Sequence, residues 1–232
     1  MDIVYFVKDT KENEELKYSL RSLKNLEHDK VWFFGGNPDG LRPDKLVRVC
    51  QNQPTKYDNV HAMYSWVLQS EVSDDFIMFN DDFFVMDKVA EVLPVHRGSL
   101  YEYIVKVEDN HSGMTAYTRR LRKTTKALEA AGLSTRCYEL HIPMVFNKEK
   151  LLAALKKFPG LNGVRSIYGN MYYEGNRIPD CKVFKFDQPL PEGPFLSTSD
   201  DTWKYYIGDT IKKKFDTPSR FELDSNQKPA SR

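Results

Sequence analysis

The stretch Asp75-Phe76-Ile77-Met78-Phe79-Asn80-Asp81-Asp82-Phe83-Phe84 constrains the fold and chemistry of this chain more than any other. An apolar run reads as a buried strand. It ends abruptly in two adjacent carboxylates, and aromatic residues resume at once. Neighbouring carboxylates repel each other unless a cation or a hydrogen-bond network compensates them. Hard oxygen ligands of this kind suit Mg²⁺ or Mn²⁺. An acidic turn closing a strand has the same local sequence, so the rest of the chain must decide between the two.

The surrounding pattern is an alternation. Residues 2–7 read as a strand, and Glu14 to Leu26 carries Leu16, Leu20 and Leu23 at helical spacing. Lys30 to Phe34 reads as a second strand, closed by Gly35-Gly36-Asn37-Pro38, and Leu46 to Val49 as a third. Val60 to Leu68 is helical in pattern and leads into the acidic strand. This order predicts an α/β fold, a mixed central sheet flanked by helices. Ligands of such sheets bind beyond the carboxyl ends of the strands. That rule gathers Asp9, Gly35, Gly36, Asp81 and Asp82 on one rim. Further on, residues 113–131 read as a helix, 138–146 as a strand disturbed by Pro143, and 148–158 as a short helix. Phe195 to Asp201 repeats the pattern of an apolar run followed by an acidic pair. One domain over 1–221 with a polar tail over 222–232 is the expected organisation.

Composition excludes several classes. With 34 basic and 33 acidic residues the net charge is +1, which favours neither a nucleic-acid coat nor an acidic tail. The cysteines, Cys50, Cys137 and Cys181, are odd in number and form no CxxC, so neither a disulfide framework nor a zinc knuckle is expected. The first residues lack the pattern of a signal peptide, and no segment has the length of a membrane span. The expectation is a soluble, cytoplasmic protein.

Beside the acidic pair, Lys56 and Tyr57 stand in the loop before a predicted helix at Asn59, where a cation, a ring and a helix N-terminus suit a nucleotide. An N-capped loop has the same sequence. His141 lies in the apolar run before Pro143, as a core histidine or a functional one. Arg165 suits a phosphate clamp or a structural ion pair. The basic run Arg119 to Lys126 fits a solvated helix face better than a DNA-binding surface, because aromatic residues are not interleaved with it.

Two motifs together resemble a known family. Glu15-Leu16-Lys17-Tyr18-Ser19-Leu20-Arg21-Ser22-Leu23 and Phe76-Ile77-Met78-Phe79-Asn80-Asp81-Asp82-Phe83-Phe84 are similar to the second conserved region of the Stealth sugar-phosphate transferases. Asp2-Ile3-Val4-Tyr5 resembles the start of the region before it. His141-Ile142-Pro143 resembles the later His-x-Pro region, and Arg165 lies where that family carries a functional arginine. The resemblance implies a GT-A-like nucleotide-diphospho-sugar transferase fold over residues 1–221. The chain is compact and departs from the family at Phe6-Val7-Lys8-Asp9 and at Val60 to Ser65. A short glycosyltransferase of the sort encoded in phage genomes therefore fits better than a capsule-type phosphotransferase.

On this reading the donor is a nucleotide-diphosphate sugar and the cofactor is Mn²⁺ or Mg²⁺, which Asp82 and Asp81 bind. His141 completes the metal shell or contacts phosphate, and Arg165 supplies a fixed positive charge. Asp9, Arg21, Lys56, Tyr57 and Asp81 are candidates for the donor pocket. Asp180, Asp200 and Asp201 are candidates for the base that deprotonates the acceptor hydroxyl. The acceptor is a glycan or a hydroxymethylated base in DNA. Two alternatives stand beside this reading: a Stealth-type sugar-1-phosphate transferase, and a non-catalytic module that binds nucleic acid or glycan.

Overall fold

The computed structural model describes residues 1–223. Its centre is a five-stranded sheet of β1 (Asp2–Val7), β2 (Val31–Gly35), β3 (Lys45–Arg48), β4 (Asp75–Phe79) and β7 (Met144–Asn147), ordered β3-β2-β1-β4-β7. The first four run parallel, and β7 is antiparallel to β4. Between these strands in sequence lie β5 (Phe83–Val85) and β6 (Val95–His96). Helices cover both faces, so the expected mixed α/β architecture is present. Alternation along β1 assigns the faces. Ile3, Tyr5 and Val7 pack with Leu16, Leu20 and Leu23 of α1 (Glu14–Ser22) and its continuation, while Val4 faces the larger core on the other side. That second core holds α2 (Lys56–Gln69), α3 (Leu100–Asn110), α4 (Ala116–Ala130), α5 (Lys148–Lys157) and α6 (Val164–Tyr172). No helix among the described residues is long and apolar enough to cross a membrane.

A second, smaller sheet carries the acidic pair outward. β5 follows directly after Asp82 and pairs antiparallel with β10 (Phe195–Thr198), which pairs parallel with β9 (Lys182–Val183). A two-stranded pairing of β6 with β8 (Asn176–Arg177) completes the strands. The chain then runs through α7 (Asp200–Thr202) and a wide turn over Trp203–Ile207 into α8 (Gly208–Lys214).

Three expectations need correction. The 138–146 strand forms only from Met144 onward. Upstream of it, the carbonyls of Tyr138 and Ile142 accept hydrogen bonds from Arg165 instead of from a neighbouring strand, at 3.1 and 2.7 Å. Lys56 and Tyr57 are the first residues of α2, capped by the Thr55 side chain, and not part of a preceding loop. Finally, the tail does not begin at Glu222. Its carboxylate accepts from the Arg21 guanidinium at 2.8 and 2.6 Å, and the Leu223 amide donates to the Gly40 carbonyl at 2.9 Å. Residues 224–232 of that expected tail lie outside the described residues.

Arg21 is therefore a clasp between α1 and the segment from Phe215 to Glu222. Besides Glu222 it donates to the carbonyls of Phe215 and Asp216 at 2.9 and 3.0 Å, and its side chain is 7% exposed. Removing one partner of a buried pair strands the other, at a cost of about 3–5 kcal/mol. In a chain of this size Arg21→Ala should lower the melting temperature by roughly 6–20 °C. An unaltered melting temperature would contradict the clasp and leave Arg21 open to the binding role expected of it.

Candidate functional site

The parallel register puts Val7, Gly35, Arg48 and Phe79 at the same end of the sheet. The strands are tightly joined there. Gly36 N–H and the Gln51 side-chain amide both donate to the Val7 carbonyl, at 2.9 and 2.7 Å. A Cβ on Gly35 would sit 2.2 Å from that same carbonyl oxygen, and φ is +115°, so only glycine fits. Asp9 is exposed on this rim just beyond β1.

Helix α1 fixes where the acidic pair stands. The Ser19 hydroxyl donates to the Phe83 carbonyl, and the Val85 amide donates to Ser22 Oγ at 3.0 Å, so the serines of the Ser-Leu-Arg-Ser segment hold β5 immediately after Asp82. Asn13 caps α1 with its Oδ1 and donates through Nδ2 to Asp81 Oδ2 at 2.7 Å. Burial, then the charge of Asp82, pushes the Asp81 carboxyl above the ordinary range against that hydrogen bond.

Asp82 is placed differently. Its Oδ2 accepts from the Lys182 ammonium at 2.7 Å and from Ser197 Oγ at 3.0 Å, and both side chains of the ion pair are 15% exposed. Glu15 adds a further carboxylate nearby, accepting from Thr198 Oγ1 at 2.6 Å. Burial raises the Glu15 pKa to about 7; Thr198 opposes this, and the charges of Asp82, Asp81 and Asp200 add to it. A raised folded pKa favours folding at low pH. This contribution is present below the unfolded value near 4.5 and is lost as pH climbs through about 7. Glu15→Gln should therefore melt higher than wild type at pH 8, by up to about 3 kcal/mol of stability, and show a flatter dependence between pH 5 and 8. Parallel melting curves against pH for the two proteins would contradict this.

Lys182 also connects the acidic pair to the histidine. Two residues before it, Asp180 accepts from the His141 backbone amide at 2.9 Å and from His141 Nδ1–H at 2.7 Å. Arg97 forms a salt bridge to the same carboxylate at 2.9 Å and lies 4.0 Å from the Tyr103 ring centre. Burial acts to raise the Asp180 pKa, but the His141 hydrogen bond and charge and the Arg97 charge prevail, holding it at about 2. Asp180 is thus an ionised carboxylate that orients an imidazole through its Nδ1, so that the hydrogen bond leaves Nε2 uncommitted. Phe184 packs edge-on against that ring at 5.9 Å. A cleft of about 600 Å³ opens alongside, lined by Asp180, Lys182, Phe184, Tyr103, Lys106 and Arg177 among others.

The remaining expected residues are not brought to this point. Arg165 spends guanidinium donors on the Tyr138 and Ile142 carbonyls, which shapes the segment carrying His141. The Tyr57 ring packs with the Arg120 guanidinium at 4.4 Å and stacks with the Tyr117 ring at 6.0 Å, while Lys56 is exposed beside it. Asp200 and Asp201 are exposed at the start of α7. In the basic run, Arg122 pairs with Glu108 and Arg120 packs on Tyr57, leaving Arg119, Lys123 and Lys126 on a solvated face. Conversely, Asn13, Glu15, Arg97, Lys182, Ser197 and Thr198 belong to the site without having been marked by the sequence.

Asp81, Asp82 and His141 do not form one ligand set; among the described residues no three His, Cys, Asp or Glu side chains converge to hold an ion. Magnesium-type ions, however, commonly use one or two carboxylates and take their other ligands from phosphates and water. Asp82 fits that role, because its carboxylate already faces a cation, with the carboxyl groups of Asp81 and Glu15 close by. The residues therefore suit an ion that arrives with a diphosphate, and not one caged by protein alone.

No protein-family profile matches the chain, and no curated protein matches it. Solved structures similar to it include the galactosyltransferase LgtC in complex with donor and acceptor sugar analogs, at 10% identity over 94% of this chain and 96% of that one, with a TM-score of 0.47. The glycosyltransferase GlyE of Streptococcus pneumoniae TIGR4 aligns at 12% identity over 93% of this chain and 49% of that one, with a TM-score of 0.34. Mouse xyloside xylosyltransferase 1 in its apo form aligns at 8% identity over 96% of each chain, with a TM-score of 0.36.

Proposed function

We infer that this chain is a GT-A-like transferase that moves a sugar from a nucleotide-diphosphate donor to an acceptor hydroxyl. The observation that carries this reading is the pairing of two devices across three consecutive residues. Asp180 orients His141, and Lys182 is fixed to Asp82 at the carboxyl end of β4. Transfer of a glycosyl group needs both: compensation of charge on a departing diphosphate, and removal of a proton from the incoming hydroxyl.

His141 is the general base. Its Nδ1–H is held by ionised Asp180, so Nε2 carries the lone pair that takes the acceptor proton, and the resulting imidazolium is stabilised by the same carboxylate. Asp180 is the positioning residue, and Arg97 holds it in place. Asp82 is the residue to hold Mn²⁺ or Mg²⁺ with the donor, and Asp81 anchors the turn through Asn13. A divalent ion bound there supplies Lewis-acid compensation of the charge on the leaving nucleoside diphosphate. Lys182 adds a fixed positive charge beside it. The cleft beyond Asp180 has the size of a sugar-binding site.

The test is a screen of nucleotide sugars for hydrolysis and transfer with Mn²⁺ present, followed by product analysis. The expected products are a glycoside and a nucleoside diphosphate. A phosphodiester with release of nucleoside monophosphate identifies the sugar-1-phosphate reaction instead. Salt-sensitive DNA binding with no donor binding identifies a non-catalytic module.

A further inference from the structure

We propose that Lys182 is the resident counter-ion of Asp82, and that it and a divalent metal are alternative partners of the same carboxylate. On this proposal the metal binds strongly only together with a nucleoside diphosphate that receives the displaced ammonium. The diphosphate is identified through the nucleotide-sugar reading; the competition between Lys182 and metal is not.

The geometry leaves little choice. Lys182 Nζ and Ser197 Oγ both donate to one oxygen of Asp82, at 2.7 and 3.0 Å. A divalent ion bonding that carboxylate at about 2.1 Å would stand within a few ångström of the ammonium, and like charges at that range repel strongly. Lys182 cannot retreat into water as a whole residue, because its backbone is paired with Ser197 in the small sheet. Its side chain is largely buried, with the Phe184 ring 5.6 Å from the ammonium. An ammonium that loses its carboxylate in such a place needs another anion. The four-carbon stem gives the reach to find one close by. A diphosphate bound with the metal is an anion of the right charge and hardness in the right place. Metal and nucleotide are then coupled through the side chain, each raising the affinity for the other by the same factor.

Lys182→Met and Lys182→Arg test this, with Mn²⁺ affinity measured by calorimetry and electron paramagnetic resonance, with and without UDP. Lys182→Met should bind Mn²⁺ alone at least about tenfold more tightly than wild type and bind UDP about tenfold more weakly. The factor by which UDP tightens Mn²⁺ binding should shrink accordingly. Lys182→Arg, which keeps the cation, should bind Mn²⁺ as wild type does. Unchanged or weaker Mn²⁺ binding in Lys182→Met with a native circular-dichroism spectrum overturns the proposal. So does equal behaviour of the two variants. Wild-type protein supplies a readout that needs no variant. Mg²⁺ with UDP should move the Lys182 side-chain ammonium signal in nitrogen-15 NMR, and Mg²⁺ alone at the same concentration should not. A signal that stays in place with both ligands bound rules the exchange out. If UDP, GDP and their sugar conjugates all fail to bind wild type, the nucleotide-sugar reading falls, while the Mn²⁺ comparison between wild type and Lys182→Met still decides the competition.

Discussion

Asp82→Asn should abolish metal-dependent donor hydrolysis and transfer, with a loss on the order of 10³-fold or more, since a single group facing developing charge contributes 10²–10³ by itself. The substitution keeps the side chain's shape and an oxygen for Ser197, but it removes the negative charge that pairs with Lys182 at 2.7 Å. It also leaves that ammonium without a carboxylate in a largely buried site, at a cost of about 3–5 kcal/mol. Lost activity alone would therefore be ambiguous between chemistry and folding. The double variant Asp82→Asn with Lys182→Met separates them. Removing both charges should recover much of the stability, because no ion is left buried alone, yet donor hydrolysis should stay at background. Wild-type turnover in Asp82→Asn would sink the assignment of Asp82, and recovery of turnover in the double variant would show that Asp82 served only to neutralise Lys182.

The acidic pair was readable because its signal is local. An apolar strand, an abrupt pair of carboxylates and a following aromatic strand occupy ten consecutive residues, and the alternation before them fixes which end of the sheet they reach. The helix carrying Leu20-Arg21-Ser22 was equally readable as an element, but not in its task. Its serines position β5 and its arginine clasps Glu222, 201 residues away. No local pattern announces that Arg21 faces Glu222 instead of a phosphate. The same holds for Lys182, whose partner Asp82 lies 100 residues upstream, and for Asp180, 39 residues from His141. Polar residues on short irregular strands acquire meaning only when the sheet closes.

Helix α3 is a different case, because a local signal was present. Ser99 and Glu102 form a reciprocal capping box at its start, and that spacing is visible in sequence. The 138–146 segment misled for the opposite reason. Its apolar content suits a strand, but Pro143 has no N–H to donate, and Arg165 takes the carbonyls on either side of His141. The irregular backbone that results lets His141 turn its Nδ1 toward Asp180.

That placement carries the second large effect. His141→Ala should lower transfer by about 10²–10⁴-fold, the usual contribution of a positioned general base. Asp180→Asn should lose much of the same factor without touching the acceptor, because an amide neither fixes the Nδ1–H tautomer nor stabilises the imidazolium. Residues that act as one unit are not additive, so the double variant should be no slower than His141→Ala by more than about threefold. Stability supplies an independent check. The folded Asp180 pKa lies at about 2, below its ordinary value of 3.8, so its contribution is full above roughly pH 4 and is lost as pH falls through about 2. Asp180→Asn should therefore remove about 2 kcal/mol at neutral pH and flatten the acid limb of the stability curve. The pH–rate profile distinguishes a base from a scaffold. The acidic limb of kcat/KM should shift in Asp180→Asn and vanish in His141→Ala. If His141→Ala slows transfer but leaves that limb in place, His141 shapes the site and another group takes the proton.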